Sequence, residues 1–457
     1  MSLSHARRIS STRSEEVFNH LLENVKSINK RAGLTSFAEL ELELHKTFAE
    51  AERQCMQRLL QQYDWNQPLF TSQGQVYRRA SRNNKRYMTL AGEVVIQRSL
   101  YRTERNGPTH CPLEQNSGLI EGFWTPQAAK QAIHLVSQLT PAEAEGVFKE
   151  FGLMAPSKSS LDRLPKKLSK HWEANRQSLE SRLQDAFEIP ESATLCGVSL
   201  DGVLIPTRYP RILPSDSRWA EASCGTVSFF DNEGALLSTR YLARMPEHKK
   251  KTMKQQLAAQ IQHVLTKHPE LKVVKIADGA RDNWTFLDEQ VEAGECVLDF
   301  YHASQHLFSA MEALYGKGSV QARTAHKKYR DILLYDEKGI HKVINHLKYH
   351  QRSQPQLKAL KTELTYFTRN KSRCHYARLK EQNKPIGSGI VESACKTVVQ
   401  MRLKRSGQHW DDAGGQSILT FRAILRSGQL NDAWEYIKGF YLKPVELPEN
   451  VVNLPRV

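Results

Sequence analysis

From residue 194 the chain sets down apolar runs in a fixed order, and that order constrains the fold more than any other feature. Runs at about 195–206, 219–230 and 235–243 read as strands. A helix at 247–267, a strand at 271–277, a helix at 282–293, a strand at 295–300 and a helix from 302 follow. The helical, basic and aromatic-containing stretch 316–384 then precedes a last helix, which begins after Gly387-Ser388-Gly389.

Three strands, then helix, strand, helix, strand, helix, is the order of an RNase H-like domain. The fold class is therefore α/β, with a helical insertion before the last core helix and a mainly helical N-terminal DNA-binding region. We expect a basic helical region at 1–85, a hairpin plus helix-turn-helix-like region at 86–185, and the first part of the core at 190–315. The insertion follows at 316–385, the core helix and C-terminal helices at 386–440, and a Pro-containing tail at 441–457.

Upstream, residues 14–62 read as helices, although some of the apolar spacing is nearer period 2. The polar, basic stretch 71–87 reads as a loop, and 87–103 as a hairpin turning near Ala91-Gly92-Glu93. Between 125 and 172 lie three helical patterns, with Thr140 as an N-cap before Pro141 and Gly152 as a stop. Lys158 and Arg163 then fall on the leading part of a basic helix. Helix, Gly turn, helix suits a DNA reader or an ordinary αα-hairpin, and the basic context tips the reading towards DNA.

Charge narrows the partners. The net charge is +16, and residues 321–410 hold 20 Lys+Arg against 6 Asp+Glu. So local an excess attracts polyanions, through contacts that weaken with salt. Double-stranded DNA is the expected partner, and no run of about 18 apolar residues suggests a membrane span. Seven cysteines without a CxxC pair argue against a disulfide framework and for a reducing, cytoplasmic, nucleoid-associated setting.

Four acids and two histidines stand out. Asp201 sits within an apolar strand, where an ionised carboxylate needs a cation; yet Asp201-Gly202 is also a hairpin signal. Asp278 ends a strand and either serves chemistry or caps the next helix. Glu392 heads a basic amphipathic pattern with Lys396, Arg402, Lys404 and Arg405 behind it, or simply pairs with Lys396 on a solvated face. Asp299 closes the fifth strand, with His302 and His306 at i,i+4 as caps or ligands. Taken together, Asp201, Asp278 and Glu392 fall on three elements that meet in such a core. Carboxylates at one point there would hold the two divalent ions, Mg²⁺ or Mn²⁺, used in phosphoryl transfer.

The segments LDG at 200–202, ADGA at 277–280, LDFYHASQHL at 298–307 and GSGIVESACKTVVQMRLKRSGQHW at 387–410 resemble the ISKra family of bacterial insertion-sequence transposases. The resemblance extends over RNGP from 105, IEGFWTPQAAK from 120 and SKSSLDRLPKKLS from 157, and covers about 85 to 426. It implies a DDE transposase that cuts and joins DNA at an element's ends, with Asp201, Asp278 and Glu392 as its acids. Asp299 and His302 match a D-x-x-H signature of Mutator-like relatives, implying a metal ligand and a catalytic histidine. Paired N-terminal cysteines of related proteins are reduced here to Cys111. A homodimer or larger assembly on DNA is expected, because two ends must be held together. A structure-specific Mg²⁺ nuclease of the same fold and a non-catalytic DNA-binding descendant are the alternatives.

Overall fold

The computed structural model describes residues 3–72, 74–152, 154–208, 218–291, 294–443 and 445, with side chains from Glu16 onward. The expected tail at 441–457 therefore falls almost wholly outside the described residues. The chain divides into two units, one of residues 1–174 with 431–457 and one of residues 175–430.

The first unit opens with the helices α1 (Leu3–Lys30) and α2 (Phe37–Gln61). Ser36 and Glu39 form a capping box that fixes the start of α2. A three-stranded antiparallel sheet follows, of β1 (Leu69–Ser72), β2 (Gln75–Thr89) and β3 (Gly92–Arg102). The stretch read as a loop from 71 to 87 is therefore mostly strand. Most of β2 before Tyr87 is exposed or half-exposed, so no buried face advertises its period of two. β2 also runs straight across the boundary expected at 85/86. After the short α3 (Pro112–Asn116) come α4 (Pro126–Gln138), α5 (Pro141–Phe151) and α6 (Lys158–Ala174). Thr140 and Glu143 make the capping box of α5, and Gly152 ends it at φ 78°, as the residue types require.

The second unit begins with α7 (Arg176–Ala186) and is organised by a five-stranded mixed sheet. Its strands are β4 (Leu195–Pro206), β5 (Trp219–Phe230), β6 (Leu236–Arg244), β7 (Lys272–Ala277) and β8 (Glu295–Leu298). Their spatial order is β6-β5-β4-β7-β8; β4 to β6 are antiparallel neighbours, while β7 and β8 lie parallel to β4. The helices α8 (Lys251–Lys267) and α9 (Arg281–Gln290) make the two parallel crossovers.

Alternation along the strands sorts the core. Cys196, Val198 and Leu200 turn to one face, where Leu257, Ile261 and Leu287 of α8 and α9 bury them. Leu195, Val274 and Ile276 turn to the other, against α10 (Phe300–Tyr315). Four more helices, α11 (Val320–Tyr335), α12 (Gly339–Ser353), α13 (Lys358–Asn370) and α14 (Tyr376–Glu381), extend that cluster through Leu333, Leu347, Phe367 and Leu379. Further along the same face, Val203 and Ile205 meet the late helix, which runs as α15 (Gly389–Ala394), a π turn (Cys395–Gln400) and α16 (Met401–Leu403). α17 (Asp412–Arg426) closes this unit, and α18 (Leu430–Tyr441) leads into the first, where Tyr441 hydrogen-bonds Glu121. The C-terminal helices expected within 386–440 are thus α17 and α18. Among the described residues, no helix is long and apolar enough to cross a membrane.

Candidate metal centre

The sheet register places three aspartates in one row. The β4–β7 pairs run from Leu195↔Lys272 to Ser199↔Ile276, a constant offset of 77, and the β7–β8 pairs end at Ala277↔Leu298, an offset of 21. Carried just past the last pairs, these offsets align Asp201, Asp278 and Asp299 at the carboxyl ends of β7 and β8. Adjacent strands lie ~4.8 Å apart, and ligand crevices in α/β sheets open at this edge. Asp201 shares the parity of Val203 and Ile205, and Asp278 that of Val274 and Ile276, so both acids belong to the face covered by α10 and α15.

Asp201-Gly202 does not turn. β4 passes straight through, pairing Asp201 with Cys224 and Gly202 with Ser223. Asp201 is half-buried and accepts the Gly202 N–H at 2.7 Å. Burial pushes its carboxyl pKa up, and the charge of Asp278 adds to the rise, against lowering by that N–H, His302 and Lys250. The Cys395 thiol lies 3.8 Å from Asp201 Oδ2, at hydrogen-bond distance for sulfur. Its pKa is raised by a hydrogen bond with Cys224 and by burial, so the sulfur keeps its proton.

Asp278 is held differently. Its Oδ1 accepts Asn283 Nδ2 at 3.2 Å and the Ala280 N–H at 3.1 Å. Asn283, only 2 % exposed, also donates to the Leu200 carbonyl at 3.4 Å, so one amide ties α9 to both strands. Asp299 is fully buried and caps α10, accepting the His302 N–H at 2.5 Å and the Ser388 N–H. Glu392 is exposed and accepts Ser388 Oγ at 3.1 Å. Among the described residues it forms no ion pair with Lys396, the surface couple that the i,i+4 spacing allows.

Among the described residues, Asp299, His302 and Glu392 form a group whose ligand atoms all lie within 4.8 Å of one another. Asp201 and Asp278 stand outside that group. The expected trio of Asp201, Asp278 and Glu392 is therefore not the one that the side chains bring together. The local hydrogen bonds explain this, since Asp201 is turned to Gly202 and Cys395, and Asp278 to Asn283. His302 Nδ1 is buried without a hydrogen-bond partner, 3.7 Å from Asp299 Oδ1. Two carboxylates and an unpartnered imidazole nitrogen fit a divalent cation. His306, one turn on, is committed elsewhere: it bonds Glu363 at 2.7 Å and stacks on Tyr366 at 3.7 Å.

The helix carrying Glu392 is irregular just after it. The π turn at 395–400 leaves carbonyls without their usual partners, and buried Arg422 supplies donors, with Nε on Val398 O at 2.8 Å and Nη2 on Thr397 O. Of the cations expected at DNA, Lys396 and Lys404 are exposed and Arg405 is half-buried. Arg402 is not available. It is 2 % exposed, its guanidinium 5.1 Å from the centre of the Trp410 ring, because the helix turns this position into the core beside Leu403. On α6, Lys158 and Arg163 are exposed, whereas Lys166 pairs with Asp162 and Lys167 with Glu121.

Sequence reasoning overlooked Asn283, the Ser388 N–H and the Cys395 thiol. For Asn283 a signal existed: an amide on the inner side of an amphipathic helix, five residues past a strand-end aspartate. Tyr366 was also overlooked. It packs against Gly279, where any Cβ would sit 2.3 Å from its ring, and Arg369 donates to the Gly279 carbonyl at 2.6 Å. The turn after β7 is thereby braced by α13.

No family model matches the chain, and no curated protein does. Among solved structures the chain is similar to the Drosophila P element transposase strand transfer complex, at 11 % identity and a TM-score of 0.26, over 70 % of this chain and 82 % of that one. It is also similar to the Mos1 transposase paired-end complex with left transposon end, at 12 % identity and a TM-score of 0.15, over 53 % of this chain and 99 % of that one. Likenesses this slight fix neither family nor chemistry, and the residues themselves carry the functional reading.

Proposed function

We propose that the chain is a metal-dependent DNA phosphoryl transferase, a DDE transposase that cuts DNA at insertion-sequence ends and joins it to a target. On this reading residues 190–315 and the late helix form an RNase H-like core, and 316–385 is an insertion within it. One observation carries the proposal: three aspartates in a single row at the carboxyl edge of the parallel strands, with Glu392 and His302 brought to the same edge.

Asp299, His302 and Glu392 would hold one divalent cation, Mg²⁺ or Mn²⁺, and Asp201 and Asp278 would supply carboxylates for a second. Such cations lower the pKa of a bound hydroxyl group and neutralise charge at the scissile phosphate. The protein's own part is positioning. Asn283 fixes the Asp278 carboxylate, the Cys395 thiol steadies that of Asp201, and Ser388 directs Glu392. The charge of Asp278 adds to the cost of ionising Asp201, which a cation bound between them would offset. Lys396 follows Glu392 along the late helix, Lys404 and Arg405 lie just past its end, and the three would grip the backbone phosphates of the same strand. Lys158 and Arg163 on α6 would contact the DNA ends. No covalent protein intermediate is required.

The test is cleavage and strand transfer on labelled DNA carrying candidate terminal repeats. Asp201→Ala, Asp278→Ala and Glu392→Ala should each abolish both steps while a gel shift persists. Cleavage without joining by the unaltered protein would make it a nuclease. Specific binding without any cleavage would make it a DNA-binding protein only.

A further inference from the structure

One face of α13 is turned towards the row of aspartates. Glu363, Tyr366 and Arg369 recur every three residues along it, sharing an arc of ~120°. Arg369 and Tyr366 both meet Gly279, the residue after Asp278, the first through its carbonyl and the second through ring packing. Burial pushes the pKa of the Tyr366 phenol up, and nearby charges, those of Asp278 and Asp299 among them, add to the rise. The His306 imidazole lies almost flat on that phenol, with 3.7 Å between ring centres and 20° between planes. On α10 it stands one turn, ~6 Å, beyond His302 and on the same side of the helix. His306 is thus a close neighbour of the acids without belonging to the group of Asp299, His302 and Glu392.

The two nitrogens of His306 are treated differently. Nδ1 bonds Glu363 Oε2 at 2.7 Å, and Glu363 is the one acid of α13, its side chain only 14 % exposed. The His306 side chain is 38 % exposed, and among the described residues Nε2 has no hydrogen-bond partner. A carboxylate on Nδ1 keeps a proton there, which leaves Nε2 as an acceptor open to solvent. Packing α10 against α13 would need neither the sunken carboxylate nor the open nitrogen.

We propose that His306 is the general base of the reaction, oriented by Glu363 and held in place by the Tyr366 ring. The insertion at 316–385 then completes the active site through α13. This inference rests on the phosphoryl-transfer reading. Nε2 takes the proton of the attacking hydroxyl, directly or through one water, as the hydroxyl oxygen bonds to phosphorus. The bond from phosphorus to the 3′ oxygen of the cut strand breaks. That oxygen takes a proton from water, and Nε2 returns its own proton to solvent.

Single-turnover cleavage by the full chain, with Mn²⁺ and labelled DNA carrying candidate terminal repeats, tests this. His306→Ala should slow cleavage about 100-fold, with the gel shift and the calorimetric Mn²⁺ affinity unchanged. Added imidazole should restore that variant in proportion to its concentration and do nothing for Asp278→Ala. Glu363→Gln should slow cleavage about tenfold with Mn²⁺ affinity intact, which decides the matter even if His306→Ala unfolds. Wild-type rates in both variants overturn the proposal, and so does a slow His306→Ala that imidazole leaves slow. Loss of Mn²⁺ affinity in His306→Ala also overturns it, by making His306 a metal ligand. An unaltered protein that never cleaves overturns the phosphoryl-transfer reading, and this inference with it.

Discussion

Ser388 holds two acids at once, its backbone N–H on Asp299 and its hydroxyl 3.1 Å from Glu392 Oε1. The first carboxylate is fully buried and the second is exposed, so the two ends of this link answer differently to mutation.

Asp299→Asn and Glu392→Gln separate structure from ligation. Asp299→Asn weakens the α10 cap and the Ser388 anchor inside the core, and should cost about 1–3 kcal/mol in urea unfolding. Glu392→Gln removes an exposed charge and should stay within about 0.5 kcal/mol of wild type. Both should reduce Mn²⁺ affinity by calorimetry, the second without the penalty in stability. Unchanged Mn²⁺ affinity in Glu392→Gln would remove Glu392 from the ligand set.

Asn283→Leu should destabilise the second unit by about 1–3 kcal/mol, because it leaves the Leu200 carbonyl without its amide. It should also lower cleavage by loosening Asp278, while Lys250, 3.4 Å from the Asn283 oxygen, keeps its bond to Glu221 at 3.0 Å. Denaturant curves and single-turnover cleavage measure the two effects.

Arg402 and Lys404 lie two residues apart and should behave oppositely. Arg402→Ala removes a buried guanidinium from Trp410 and should lower Tm with little change in the salt dependence of DNA binding. Lys404→Ala should leave Tm alone and reduce the slope of log K against log salt by about 1.

Asp201→Asn should stabilise the metal-free protein at neutral pH. The folded-state pKa of Asp201 is raised, so ionising it opposes folding, and that penalty is present only above its pKa. The gain should fade as pH falls through the carboxylate range and Asp201 takes up its proton. Melting curves from pH 3 to 8 check the sign (range set by ordinary carboxylate values). Added Mn²⁺ should raise the wild-type Tm more than that of Asp201→Asn.

His346 gives the opposite slope. It stacks on Tyr329 at 4.1 Å, and burial, with the nearby His350 and Lys328, pushes its pKa down to about 4. A histidine with a lowered folded-state pKa makes folding weaken as pH drops below its ordinary value near 6.5. Hydrogen exchange should show α12 loosening between pH 6 and 4, and His346→Phe should remove most of that change.

How much of this was legible depends on what each residue had to announce. β4, β5 and β7 were readable because their apolar runs are largely buried on both faces, and the helix-length amphipathic segments of α8 and α9 set off β7 and β8. β2 was not, since its polar residues hide a strand that backbone pairing holds in place. The acids could be placed on their elements from the sequence, with Asp201 inside a strand and Asp278 and Asp299 at strand ends. Which of them converge was invisible, because that depends on bonds to Asn283, Cys395 and Ser388 that no spacing encodes. Arg402 misled for a related reason: a basic run names the charge but not the direction in which each side chain leaves the helix.

The wide turn at 395–400 decides that direction. One additional residue wound into a helix rotates everything downstream by about 100°. Deleting a single codon there would restore an ordinary spiral, swing Arg402 out of its slot against Trp410, and carry a different side chain into the core. The boundary between a cation that braces the protein and one that could reach a phosphate is, in this chain, a matter of phase.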